Sequence, residues 1–439
     1  MKTKNLLWAA LSMTAALVMT ACSSDDNNMT ETPQAPSTSK TIPYTVTVGG
    51  DEATTRANIV EPDHRTLYFA TGDKLYITGE NIQGVLSITD GVGESSGATF
   101  SGELTYDGSG SPADNLSLTA TLVSEQQEGT NKVSVDDAGA VTVNYPTAAY
   151  CATISDAVQQ YSNLTGTSTY GDKAFTLTQH TAFLNFVITF EDGTTAGTEL
   201  TAVVNNNNSS DICSASVTTV TDNGVKAKFV LPVASGTVLS SATVTMGSKA
   251  ALAISDATLT GKVYNVKKTQ YKMAAAATSA DKGKLICADG HIHAYGADAA
   301  CTKARVAKII YIGATGHATY SHGLALALTD EASTMAWQAA IDACSAKNTS
   351  TPVTGATWLL ASYSQWEYML GDNGAGSNTA LRTGFSGITG ADNLQSGYYW
   401  LSTEYYSDRA WIYGFVDGDL GNDYKYKDDY IRVRACLAF

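Results

Sequence analysis

The segment 398–439 carries the residues of this chain best suited to contact a ligand. Tryptophans and many tyrosines lie there beside a stretch of aspartates, and no nucleophile with a neighbouring base stands out. Aromatic rings bring a large apolar area with few rotamers to order, so a dense group of them forms a core or a recognition surface. The pattern predicts a binding surface framed by short strands. A core position is the alternative for Trp400 and Trp411, and for Tyr405 and Tyr406. The predicted contact residues are Tyr405, Tyr406, Trp411, Tyr413, Asp417, Asp419 and Asp423.

The aspartates in this set could also hold a metal ion. Carboxylate oxygens are hard ligands of the kind that calcium prefers, and Asp417, Asp419 and Asp423 supply them. An EF-hand-type loop would want an acidic or amide residue at Gly421 and a glycine at Asn422, and the chain has neither. We therefore expect a solvated acidic loop without a metal or other cofactor, with bound calcium as the alternative.

A catalytic group is harder to assemble from this sequence. Ser321, His322 and Asp330 could make a Ser-His-Asp set, but no strand-to-helix turn presents the serine as a nucleophile. A sugar-cleaving enzyme would need two carboxylates facing a cleft, and nothing local assigns Glu404 and Asp408 to that task. We expect a protein that is not an enzyme.

The N-terminal residues predict export. Lys2 and Lys4 precede an apolar run, 6–19, that is short for a membrane span and leads to Cys22. The cysteine directly after such a run, followed by polar and acidic residues, resembles a bacterial lipobox and the surface-export tag of Bacteroidetes-type lipoproteins. The resemblance implies a signal peptide over 1–21, acyl chains such as palmitate on Cys22, and an outer-membrane location. Residues 22–41, rich in Thr, Pro and Ser, read as a tether.

The remaining six cysteines form an even set in a chain with an export signal, which predicts disulfides. Their spacing fixes no connectivity; the preferred pairs are Cys287 with Cys301 and Cys344 with Cys436. The other two are Cys151 and Cys213.

A zinc site is the alternative use of the cysteines near residue 290. Cys287, His291, His293 and Cys301 offer zinc ligands, but they need reduced thiolates and match no standard finger spacing. We expect His291 and His293 to project instead from one face of an exposed strand.

Length and composition indicate several β-rich domains. A chain of 439 residues is too long for one core. Only 16% of its residues are charged, and Gly, Thr, Ser, Val and Tyr are abundant, as in all-β extracellular modules. The formal net charge of −15 repels phosphate backbones and anionic membranes, so nucleic acid is excluded as a partner.

Period-two alternation begins at Ile42 and continues through Tyr44, Val46 and Val48, which predicts a strand with one buried face. Short alternating runs separated by Gly, Asp and Asn then recur, which predicts a sandwich or barrel over 42–150 and another sandwich over 151–272. Residues 273–282, rich in Ala and Ser, read as a linker. The segment 283–439 mixes strands with predicted helices over 329–346 and 362–370.

The first 271 residues resemble the fimbrillins of Bacteroidales, the pilins of type V pili. The resemblance depends on the order of the lipobox, the Thr-Arg-Ala sequence ending at Ala57, the runs 66–88 and ATFSGELT (98–105), and the close GKVYNVKKT (261–269). It implies two tandem transthyretin-like β-sandwich domains. It also implies removal of the first strand by an arginine-specific protease and filling of the groove by a neighbouring subunit. The cut would fall between Arg56 and Ala57.

The segment 283–439 resembles the C-type-lectin-like domains of gut Bacteroides surface proteins, in their sulfatase-modifying branch. The runs GKLICADG (283–290), TWLLASYSQWEYML (357–370), YYWLSTE (398–404) and IRVRACLAF (431–439) carry the likeness. It implies an α+β fold. The Glu-Pro-Asn, Gln-Pro-Asp and Trp-Asn-Asp signatures of calcium-dependent sugar lectins do not occur in this segment.

Together these expectations describe a mainly β tip pilin of a type V pilus with a lectin-like adhesive head. Its partners would be other pilin subunits, through donor-strand exchange, and an extracellular glycan or protein ligand. Phe439 is expected to lie in the head's own last strand, so the subunit would accept a strand but not donate one. A surface glycan-binding lipoprotein that works without a pilus is the alternative.

Overall fold

A computed structural model describes residues 39–50, 58–59, 67–94, 97–206, 211–293, 303–415 and 421–439, with backbone alone at 50, 58–59, 67–68 and 421–423. The chain forms three β-rich units in succession. No helix among these residues is long and apolar enough to cross a membrane. The predicted lipidation at Cys22 and cleavage between Arg56 and Ala57 lie outside the described residues.

The first unit is a closed barrel of seven strands in the order β1-β11-β10-β7-β4-β5-β6. Alternation drives it, because apolar side chains at alternate positions, such as Leu75 and Ile77, reach the shared core. The elements, in chain order, are β1 (Lys40–Gly50), β2 (Asn58–Ile59), β3 (Leu67–Tyr68), β4 (Lys74–Gly79), β5 (Ile82–Asp90), β6 (Gly97–Tyr106), β7 (Ser117–Val123), β8 (Val133–Val135), β9 (Val141–Val143), helix α1 (Ile154–Tyr161), β10 (Leu164–Thr169) and β11 (Ala174–Gln179).

The barrel corrects two expectations about 42–150. Its strands close into one ring, which is the barrel of the two alternatives and not the sandwich that the fimbrillin resemblance implies. The boundary also falls later, because β10 and β11 complete this ring although they lie in the predicted second domain. The reason is a non-local pairing: the end of β1 runs parallel to β11, with Thr47 opposite Ala174. Helix α1 packs instead against Phe183 and Val230 of the second unit.

The second unit is built from two four-stranded sheets, β15-β16-β12-β21 and β14-β13-β18-β19, with a small pair β17-β20. The sheets share one core, in which Phe186 and Phe229 stack with their ring centroids 4.7 Å apart. This is a sandwich, as predicted. Its strands are β12 (Thr181–Phe190), β13 (Glu199–Asn205), β14 (Asp211–Thr218), β15 (Val220–Thr221), β16 (Val225–Ala234), β17 (Val238–Leu239), β18 (Thr243–Met246), β19 (Leu252–Ala253), β20 (Ala257–Thr258) and β21 (Val263–Gln270).

The C-terminal unit is an α+β domain. A seven-stranded sheet, β22-β24-β23-β25-β26-β31-β27, lies beside a three-stranded sheet, β28-β29-β30. Helix α2 covers one face of the large sheet, and α3 and α4 cover the other. The elements are β22 (Lys272–Met273), β23 (Leu285–Cys287), β24 (His291–His293), β25 (Arg305–Ile312), β26 (Gly323–Ala327), α2 (Trp337–Ser350), β27 (Thr357–Leu359), α3 (Tyr363–Leu370), α4 (Asn378–Thr383), β28 (Tyr398–Tyr406), β29 (Arg409–Gly414), β30 (Gly421–Tyr426) and β31 (Cys436–Ala438).

The predicted linker 273–282 is wrong, because this segment packs into the C-terminal unit. Ala274 and Ala277 are buried in the core. The Asp281 carboxylate accepts hydrogen bonds from the Nζ atoms of Lys272 and Lys284, each at 2.7 Å. These hydrogen bonds hold the pKa of Asp281 well below its usual range, against the opposing effect of its burial. The small side chains of this segment suggested a linker from composition alone, but in the structure they permit close packing.

The predicted capping box at the start of α3 is confirmed. The Ser362 hydroxyl accepts from the Gln365 backbone N–H, and the Gln365 side chain accepts in return from the Ser362 N–H at 2.8 Å. We expect Ser362→Ala to lower the free energy of unfolding of this unit by about 1 kcal/mol, measured by urea titration. Glu367→Gln, at an exposed position of the same helix, is the control and should change it by less than about 0.5 kcal/mol. Equal effects of the two substitutions would contradict a capping role.

Candidate functional site

The alternation of β29 creates an aromatic face on the three-stranded sheet. Ala410 and Ile412 are fully buried on one side, whereas Arg409 and Trp411 are partly exposed on the other. The antiparallel register places Tyr424 opposite Trp411, and it brings Tyr426 opposite Arg409. Together with Tyr405 and Tyr406 they form a continuous surface. We call it the aromatic ladder: Tyr405, Tyr406, Arg409, Trp411, Tyr424 and Tyr426.

Tyr405 is the centre of the aromatic ladder. Its ring stacks on Tyr424 with centroids 4.3 Å apart and planes within 10°, and it meets Trp411 edge-on at 4.9 Å. Tyr406 lies 4.4 Å from it and is 58% exposed. Two neighbouring tyrosines of one strand can both reach the surface because the pairing register shifts on either side of Glu404. A hydrogen bond with Tyr406 raises the pKa of Tyr405.

Arg409 adds a cation to this surface. Its guanidinium carbon lies 5.0 Å from the ring centre of Tyr424 and 4.7 Å from that of Tyr426. Its Nη2 donates to the Tyr426 hydroxyl at 3.0 Å, and its Nε lies 3.8 Å from the Asp408 carboxylate. Cation–π contact and the hydrogen bond orient the two rings. The ladder therefore offers flat apolar faces with hydroxyl groups at their edges, a chemistry suited to stacking on a ligand.

The structure does not place four of the seven predicted contact residues in the aromatic ladder. Tyr413 is only 2% exposed and packs against Trp366, with ring centroids 5.5 Å apart; burial raises its pKa. It is a core residue, because Tyr413 shares the face of Trp411 but lies under α3. Asp417 and Asp419 lie outside the described residues, and of Asp423 the structure describes only its backbone pairing with Ile412. The expected acidic loop is wrong at Asp423, which lies in a strand, whereas bound calcium stays a prediction.

Sequence reasoning missed three members of the ladder: Arg409, Tyr424 and Tyr426. The sequence did contain a signal for the two tyrosines, because Tyr424 and Tyr426 alternate with Lys425 as residues on one face of a strand do. That segment was expected to be a loop, whereas residues 421–426 form strand β30.

The carboxylates and the histidine considered for catalysis have other partners. Glu404 is paired with Lys427. His322 Nε2 lies 2.6 Å from the Ala277 carbonyl oxygen, and Asp330 binds Arg434 and the hydroxyl of a buried tyrosine. Each of these three side chains therefore has a partner in the fold.

Strand β1 is the second candidate site. It pairs with β6 on one side, antiparallel from Lys40 opposite Tyr106 to Gly49 opposite Gly97, and with β11 on the other. The predicted buried face is present: Tyr44, Val46 and Val48 are each at most 2% exposed, and Ile42 is half-buried.

Tyr44 fixes this strand in place. Its ring stacks on Tyr170 at 5.0 Å, and its hydroxyl donates to the Tyr170 carbonyl oxygen at 2.8 Å. Burial raises the pKa of Tyr44 to about 12. The strand is therefore part of the barrel core, and its loss would leave two strand edges and the core exposed.

The predicted disulfide between Cys344 and Cys436 is absent. Both thiols are free and buried, one in α2 and the other in β31. Burial raises the pKa of Cys344 to about 12 and that of Cys436 further, so both are protonated at neutral pH. Cys301 lies outside the described residues, so its pairing with Cys287 stays a prediction.

Comparison with solved structures gives distant likenesses. A fimbrial protein from Bacteroides ovatus aligns over 91% of this chain and 100% of its own, with 13% identity and a TM-score of 0.29. The fimbrial anchor protein Mfa2 from Porphyromonas gingivalis aligns over 52% and 91%, with 10% identity and a TM-score of 0.29. The tip fimbrial protein Mfa3 from the same organism aligns over 52% and 95%, with 9% identity and a TM-score of 0.25. These neighbours are fimbrial proteins. No protein-family model and no curated protein matches the chain.

At such TM-scores and identities the likenesses carry no argument of their own. Two structural features of the described residues bear on function. One is a barrel whose first strand is bonded on both sides, and the other is a C-terminal unit that presents the aromatic ladder.

Proposed function

We propose that this chain is a cell-surface fimbrial subunit, exported as an outer-membrane lipoprotein on Cys22 and assembled after removal of its first strand. The observation that carries the proposal is the place of β1 between β6 and β11 in the closed barrel. A strand that fills a hydrophobic groove and precedes a cleavable arginine is one that a neighbouring subunit can replace, since a donated strand supplies the same backbone hydrogen bonds.

The C-terminal unit is, in this proposal, a C-type-lectin-like adhesive head at the tip of a type V pilus. Its exposed aromatic ladder is the part of the molecule fitted to meet an extracellular glycan or protein. A binding surface of this kind works best at the free end of a fibre, where no neighbouring subunit covers it. We propose binding, not catalysis, because Asp330 and Glu404 are paired with cations.

A surface glycan-binding lipoprotein without a pilus is the second candidate. It is favoured by the completeness of the barrel, which closes with β1 in place and needs no partner strand. Mass spectrometry of the mature protein distinguishes the two. An N-terminus at Ala57 supports the pilin, and an acylated Cys22 in every copy from fibres and membranes supports the tethered alternative.

Removing the central ring of the ladder should weaken ligand binding. We expect Tyr405→Ala to reduce the affinity of the 39–439 chain for its glycan or protein ligand by about 1–3 kcal/mol, because its stacking partner Tyr424 also loses support. Binding is measured on a glycan array and then by calorimetry with the best ligand. Tyr430→Ala, at a ring that is 74% exposed but outside the ladder, is the control and should bind as the parent does. A folded Tyr405→Ala protein with unchanged affinity would exclude the ladder as the contact surface.

A further inference from the structure

Three potential metal ligands converge in the hairpin that opens the C-terminal unit. Cys287 ends β23, and His291 and His293 are the first and last residues of β24. One ligand atom from each lies within 4.8 Å of those of the others, and Cys287 Sγ is 3.3 Å from His293 Nε2. The turn between the strands passes through Gly290 at φ +84°, where a Cβ would meet the Thr354 carbonyl oxygen at 2.2 Å.

The cluster is buried, which corrects the expectation of an exposed strand. Cys287, His291 and His293 are 0%, 4% and 2% exposed. The two histidines share one face of β24, while Ile292 between them packs into the core on the other. The ring of Tyr271 covers them, 4.2 Å from His291 and nearly parallel to it, and 5.8 Å from His293. A single metal ion could take one ligand atom from each of these three buried, converging side chains.

A carboxylate orients one of the ligands. Asp289 Oδ1 lies 2.5 Å from His291 Nδ1, close enough to orient the imidazole. A histidine held in this way coordinates a metal through Nε2, and the carboxylate makes the ring a stronger ligand. Asp289 lies in the turn between β23 and β24 and orients His291, but it is not itself a proposed metal ligand.

We propose that Cys287, His291 and His293 form a zinc site, with Asp289 as the positioning residue. A thiolate and two imidazoles are ligands that zinc prefers, and tetrahedral zinc would separate sulfur and nitrogen ligands by about 3.5 Å, close to the separation present here. The ion would tie β23 to β24 directly after the chain leaves β21 and enters the C-terminal unit through β22. Its role would be structural, holding this hairpin at the base of the head.

The zinc site competes with the disulfide predicted between Cys287 and Cys301, because one sulfur cannot serve both. Reduced 39–439 protein, freed of metal with a chelator, is titrated with Zn²⁺ by calorimetry and with Co²⁺ by absorption spectroscopy. We expect one ion per chain, a thiolate-to-cobalt charge-transfer band and a higher melting temperature with zinc. Cys301→Ser should bind as the parent does.

Variants of the ligands complete the test. Cys287→Ser should abolish the charge-transfer band and the zinc-dependent rise in melting temperature, and Asp289→Asn should weaken binding about 10- to 100-fold. The control is His180→Ala, which replaces an exposed histidine between β11 and β12. It should leave metal binding and the zinc-dependent rise in melting temperature unchanged. Failure of the reduced parent protein to bind either ion, or Cys287→Ser binding like the parent, would overturn the site. The outcome is independent of whether the head binds glycans or the chain enters a pilus.

Discussion

Replacing Arg434 by methionine is expected to lower the free energy of unfolding of the C-terminal unit by about 3–5 kcal/mol. The Arg434 side chain is fully buried, and its Nε donates to Asp330 Oδ1 at 2.5 Å. Its other two nitrogens donate to the carbonyl oxygens of Ala327 and Asp392, at 2.9 and 3.0 Å. The substitution would leave the Asp330 carboxylate, itself only 18% exposed, without its cation.

Tryptophan fluorescence during urea unfolding reports on the C-terminal unit, because five of the six tryptophans lie beyond residue 336. Arg432→Met, two positions earlier and half-buried, is the matched control and should cost less than about 1 kcal/mol. Adding Asp330→Leu to Arg434→Met removes the second charge and should restore a large part of the loss. A double variant as unstable as the single one would show that the ion pair is not the cause.

The local parts of the fold could be predicted from the sequence. Alternation at Tyr44, Val46 and Val48 correctly gave a strand with one buried face, because period two is a property of the strand itself. The Ser362 and Gln365 capping box was predictable for the same reason, since both partners lie within one turn. Such signals need no knowledge of distant parts of the chain.

The long-range parts could not be predicted in this way. Nothing in the pattern of β1 shows that it runs parallel to β11, so the first unit was drawn too short. Alternation assigns Trp411 and Tyr413 to one face, but depth along that face depends on the helix packed there. The expectation that His291 and His293 lie on an exposed strand failed because the ring of Tyr271, twenty residues before His291, covers them.

Cleavage after Arg56 is expected to convert the barrel from a closed monomer into an acceptor of a foreign strand. The three side chains buried by β1, those of Tyr44, Val46 and Val48, each contribute about 1.5–3 kcal/mol when removed from water. Without them the edges of β6 and β11 are unpaired and the core is open to solvent, a state unstable against association. The same cut would separate the subunit from the lipid on Cys22.

The Arg56→Ala protein should therefore stay monomeric and lipid-tethered, with its fold intact, and should be missing from shed fibres. Size-exclusion chromatography, membrane fractionation and electron microscopy of fibres measure these outcomes. Arg65→Ala is the matched control, because it removes the next arginine of the chain and should leave cleavage and assembly as in the parent.

A labelled peptide of residues 39–50 tests the exchange step itself. It should bind the cleaved protein and displace the original strand, because it restores the ladder with β6 and the buried face, but it should not enter the uncut barrel. A peptide carrying Val46→Asp places a charge where the native side chain is 1% exposed, so it should not bind. Arg56→Ala protein recovered from fibres with residues 39–50 still attached would exclude strand replacement. The tethered lectin would then be the better account of the molecule, since a barrel that keeps its first strand has no groove to offer a partner.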